Sequence, residues 1–65
     1  MHSYSSRDVI KILEADGWYV IRIHGSHHVF KNDTKPGLVV VKHPDKDIPA
    51  GTLKSISKQA GITLE

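Results

Sequence analysis

Apolar and polar positions along this 65-residue chain switch between two periods. Val9, Ile12 and Leu13 fall at i, i+3 and i+4, and Ile10 widens the stripe, which is helical spacing. Ser5 to Asp8 reads as a capping box: Ser5 accepts from the backbone N–H of position 8, and Asp8 reaches back. Asp16-Gly17 closes the segment, because glycine takes the left-handed C′ conformation without a Cβ clash. These signals predict a helix over 6–15. Trp18 to Ile23 is aromatic and β-branched, which predicts a strand. His24-Gly25-Ser26 then turns the chain into a second strand, His27 to Lys31. Asn32 to Gly37 is a dense turn cluster. Leu38 to Lys42 follows as a third strand, whose unbroken apolar run predicts a central or well-covered place. Beyond the polar loop His43 to Asp47, Pro49 suits the first turn of a second helix. Leu53, Ile56 and Ala60 supply its apolar line, and Gly61 its C′ residue.

The order is α-β-β-β-α, an α+β fold with a three-stranded antiparallel sheet. Each helix must bury its stripe, so both are expected on one sheet face. The opposite face is left for a partner. The pattern shows no repeat or linker, so residues 1–65 are read as a single domain. A domain this small buries only about 60% of the surface of its unfolded chain. That excludes a deep pocket around a large cofactor and favours a shallow site completed by a polymer.

Composition narrows the class further. The chain has no cysteine, which excludes a disulfide scaffold and suits a reducing compartment. No apolar run approaches the roughly 18 residues of a membrane span. The segment Met1-His2-Ser3-Tyr4 lacks the basic and apolar regions of a secretory signal. A soluble cytoplasmic protein, without membrane contact, is therefore expected. Net charge is +2. Residues 34–65 carry Lys35, Lys42, Lys46, Lys54 and Lys58 against Asp45, Asp47 and Glu65. Between Ile48 and Leu64 the charges are Lys54 and Lys58 alone. Such a surface attracts phosphate groups, although charge by itself favours a solvated helix face.

Candidate chemistry concentrates in Gly25-Ser26-His27-His28. Histidine is the common side chain that gives and takes a proton near neutral pH. Strand alternation separates the pair. Phe30 is expected to face the helices, which puts His28 on the packed side and His27, Val29 and Lys31 on the open side. A bulge after Gly25 would reverse that assignment. Gly25 supplies a turn conformation, and with Ser26 it offers backbone N–H groups and a hydroxyl to a phosphate. Lys42, Lys54 and Lys58 are further candidates for phosphate contact, the last two sharing one helical face. Gly51 and Thr52 fall in the first turn of the second helix, where free N–H groups favour anions. Trp18 is expected in the core, and Tyr19, its neighbour of opposite parity, on the surface. Zinc or nickel at His24-x-x-His27-His28 is not expected, because the spacing straddles a turn and lacks a nearby carboxylate.

The ordered set Asp16-Gly17-Trp18, Gly25-Ser26-His27-His28 with Phe30, Lys35-Pro36-Gly37, His43-Pro44, Gly51 to Ile56 and Ala60-Gly61 resembles the HicA toxin family. The resemblance runs over nearly the whole chain. It implies a double-stranded-RNA-binding-domain-like fold and a metal-independent endoribonuclease, an mRNA interferase without cofactor, with mRNA as substrate. It also implies neutralisation by a HicB-type antitoxin in a hetero-oligomer, with the free toxin a monomer. The family's catalytic histidine directly follows Gly-Ser, which here is His27. RNA cleavage of this kind needs a base for the ribose 2′-OH and an acid for the leaving 5′-oxygen. The second group is left open among water, Lys42 and His28. The alternative is a non-catalytic RNA-binding domain of the same architecture.

Overall fold

The computed structural model describes residues 3–64. Met1, His2 and Glu65, which entered the charge and N-terminal arguments, lie outside that range. The elements are α1 (Ser6–Ala15), β1 (Trp18–His24), β2 (His27–Asn32), β3 (Val39–Lys42) and α2 (Ala50–Ala60). This is the expected α-β-β-β-α order. The capping box at Ser5 and Asp8 forms in full. Gly61 closes α2 in the left-handed conformation, with φ 65°. Pro49 stands one residue before α2 as its N-cap rather than inside its first turn.

The sheet is antiparallel in the order β1-β2-β3. Trp18, Phe30, Val39 and Val41 are buried on one face of it. Val9 and Leu13 of α1 and Leu53, Ile56 and Ala60 of α2 complete the same cluster, with Ile48 from the loop before α2. Both helices therefore share one sheet face, because each has a single apolar stripe to remove from water. The other face is open.

The expectation of a central or well-covered β3 is corrected: β3 is an edge strand, and β2 is the middle one. Its burial alternates, with Val39 and Val41 in the core and Val40 46% exposed. Leu38, just before it, is 49% exposed. A run of valines is uniform in type, but the pleat still sends alternate residues to opposite faces. Covering one face therefore left half the run exposed.

β1 carries an irregularity. Its register with β2 runs Trp18 to Asn32, Tyr19 to Lys31 and Val20 to Phe30, then resumes at Arg22 to Val29, Ile23 to His28 and His24 to His27. Ile21 is the extra residue, a β-bulge. Strict alternation from Trp18 would put Val20, Arg22 and His24 on the helix side. The bulge reverses the last two, so Arg22 and His24 join the open face.

Both ends of β2 are tied down. Buried Asn32 donates from Nδ2 to the Asp16 carbonyl at 3.1 Å, and its Oδ1 accepts from the Thr34 N–H and hydroxyl. At the other end the Ser26 carbonyl accepts from the His43 N–H at 2.7 Å. The hairpin tip is thereby fastened to the end of β3.

Candidate functional site

Gly25 and Ser26 form a two-residue connection between β1 and β2. Gly25 has φ 57°, a left-handed conformation that glycine adopts without strain. Directly after this tip, β2 begins with His27. The Val20–Arg22 irregularity lies in the partner strand, and β2 alternates regularly, with Phe30 and Asn32 buried. His27 consequently points away from the helices and is exposed. Its ring has no hydrogen-bond partner among the described residues.

Register supplies its neighbours. His24 lies directly opposite His27 on β1, and Lys42 directly opposite it on β3. Directly paired residues share a face, with Cβ atoms about 4.5–5.5 Å apart. His24, His27 and Lys42 thus form a row across all three strands at one end of the open face. The next row is Arg22, Val29 and Val40. Lys31 and Tyr19 pair further along. No acidic residue occurs within the three strands. At the rim, the Tyr19 hydroxyl donates to Asp33 Oδ1 at 2.7 Å. That hydrogen bond to a carboxylate is the main cause of a Tyr19 pKa raised above its ordinary value. Exposed Tyr19 and buried Trp18 match the sequence expectation.

The open face therefore presents basic groups around a small apolar centre. Cationic side chains meet phosphates, and the apolar surface between them suits bases or ribose. Exposed histidines add proton transfer. Among the described residues no three His, Asp or Glu side chains converge as a metal would require.

The other sequence candidates separate. His28 pairs with Ile23 and Val41 on the helix side and is half-buried. Its Nδ1 lies 3.4 Å from the Ser26 carbonyl, and its ring meets His43 edge-on at 5.1 Å. His43 in turn pairs through Nδ1 with the hydroxyl of buried Ser6 at 2.7 Å. These contacts brace the hairpin tip from behind. Gly25 and Ser26 stay beside His27 at that tip. Lys54 and Lys58 are exposed on α2, turned away from its buried line Leu53, Ile56 and Ala60. They lie on the helix that packs on the sheet face opposite the one that carries His27. Gly51 and Thr52 open α2 on that same far layer.

Sequence reading missed His24 and Arg22 as members of this face. Alternation counted from Trp18 hides both. The two-residue tip was the available signal, since it forces its flanking residues His24 and His27 into direct opposition.

Residues 6–62 match the family described as the HicA toxin of bacterial toxin–antitoxin systems. No curated protein matches the chain. Among solved structures, a chain of a "HicA3 and HicB3 toxin-antitoxin complex" superposes with TM-score 0.82 at 32% identity, over 95% of this chain and 100% of that one. The matched span takes in every helix and strand described above. The chain belongs to the HicA family of bacterial toxins.

Proposed function

We propose that this toxin is a metal-independent endoribonuclease that cleaves mRNA in the bacterial cytoplasm through His27. A HicB-type antitoxin neutralises it by covering the open sheet face. The observation that carries this reading is the exposure of His27 at the tip of a basic sheet face whose strands carry no acidic residue. An RNA strand laid there meets Lys42, Arg22 and Lys31 through its phosphates and His27 at one ribose. The structural relative was solved with HicB3, which supports a partner of that class. The free toxin is proposed to be monomeric and to form a hetero-oligomer with the antitoxin.

The test is His27→Ala. The variant keeps the fold by circular dichroism but causes no growth arrest when induced, and it yields no new 5′-hydroxyl ends on a long RNA. Wild-type cleavage persists in EDTA. A well-expressed, fully toxic His27→Ala protein overturns the reading. Salt-sensitive RNA binding by wild type without any new ends identifies a non-catalytic RNA-binding domain instead.

A further inference from the structure

We infer that His24 is the second proton-transfer residue of the proposed ribonuclease reaction, acting opposite His27 across the hairpin. This rests on the ribonuclease reading above.

A single imidazole leaves transesterification incomplete, because one proton must be removed and another delivered. His28 is unsuited to the second task. It stands on the helix side, half-buried against His43. Lys42 flanks His27 and supplies positive charge for the phosphate. His24 is exposed and lies in direct register with His27.

Two linked features place it there. The Gly25-Ser26 tip pairs its flanking residues by geometry. The bulge at Ile21 turns the end of β1 over, and bulges commonly re-aim a side chain in this way. Without that extra residue, alternation would send His24 to the face of Trp18. The two histidines instead stand opposite each other in register on the open face, with Lys42 paired to His27 on the far side.

The reaction balances between the two rings. One neutral imidazole takes the 2′-OH proton as the 2′-oxygen bonds to phosphorus. The other, as imidazolium, gives its proton to the 5′-oxygen as the P–O5′ bond breaks and its electron pair leaves with that oxygen. The products are a 2′,3′-cyclic phosphate and a 5′-hydroxyl end. The rings have then exchanged protonation states, and solvent resets them. The charged and titratable groups that share the face are Arg22 on β1, Lys31 on β2 and Lys42 on β3, with Tyr19 held by Asp33 at the rim.

The experiment compares wild type, His27→Ala, His24→Ala and His24→Gln in RNA cleavage across pH, alongside binding to a 2′-deoxy-substituted, uncleavable strand. Both His24 variants are expected to lose about 10²–10⁴ in rate at neutral pH. The bell-shaped profile of wild type loses one limb in them, while folding and strand binding stay intact. A structural role for His24 would leave the shape of the profile unchanged. If His27→Ala is inactive and His24→Ala keeps the wild-type rate and profile, the His24 inference falls and the ribonuclease reading stands. If wild type itself makes no 5′-hydroxyl ends, both fall.

Discussion

The Lys35 ammonium sits 2.5 Å from Asp16 Oδ2, joining the turn after α1 to the loop between β2 and β3. The same nitrogen donates to the Ala60 and Gly61 carbonyls at 3.1 and 3.2 Å, at the C-terminal end of α2. A cation there meets the negative end of the helix dipole and satisfies carbonyls that lack helical partners. One side chain thus fastens both helices and the sheet at the corner remote from His27. Asp16 also accepts from the Trp18 indole N–H at 3.2 Å.

This pairing predicts an acid-sensitive contribution to stability. The hydrogen bond from Lys35 is the largest cause of an Asp16 pKa lowered below its ordinary value. A carboxylate depressed in the folded state stabilises the fold above its unfolded pKa. The contribution is lost as pH falls below about 4 toward the lowered value. Lys35→Met keeps the aliphatic stem and removes the charge. Its melting temperature is expected below wild type at neutral pH, with the gap narrowing in acid. Parallel melting curves across that pH range, with a constant gap, would refute the assignment.

Two glycine substitutions are expected to act in opposite directions. Gly17 has φ 99°, and a Cβ there would lie 3.3 Å from Asn32 Nδ2. Gly17→Ala combines backbone strain with a push on the buried amide, and is expected to cost more than about 1 kcal/mol. Gly51 lies in the first turn of α2, and a methyl group added to its Cα would meet nothing within 4 Å. Gly51→Ala is expected to stabilise by up to about 1 kcal/mol through helix propensity. Urea denaturation of both variants checks the signs.

Ser6→Ala should loosen the support behind the hairpin tip. The Ser6 hydroxyl accepts from the Asp45 N–H at 2.8 Å and pairs with His43 Nδ1. Removing it leaves two part-buried polar groups without that partner, at a cost toward the lower end of about 1–3 kcal/mol. Ring signals of His43 and His28 should shift in NMR spectra, because the two rings are in contact. Unchanged stability and unchanged ring signals would show that the brace carries no weight.

Leu13→Ala tests how near the domain lies to its folding limit. Leu13 has no exposed surface. Its truncation is expected to cost about 2–5 kcal/mol, against a total of about 0.05–0.15 kcal/mol per residue in small domains. Circular dichroism at growth temperature should show a substantial unfolded fraction. Full retention of the wild-type denaturation midpoint would contradict the single-core description.

Much of the architecture was legible because it rests on local rules. The 6–15 helix, the hairpin, and the core roles of Trp18, Phe30, Leu53, Ile56 and Ala60 follow from period and from turn and cap chemistry. The assignment of His27 to the open face and His28 to the packed face follows from Phe30 by parity within six consecutive residues. Short strands preserve such counting.

What tertiary structure alone decided is which strands are neighbours and where their register breaks. The valines of β3 carry no mark of an edge position, since strand order depends on pairing between distant segments. Nothing in Trp18 to His24 announces that Ile21 is skipped; the skip arises because Trp18 must face the helices while the tip holds His24 against His27. Those two constraints have opposite parity along one strand, and the extra residue reconciles them. The second histidine and Arg22 reach the exposed face for that physical reason.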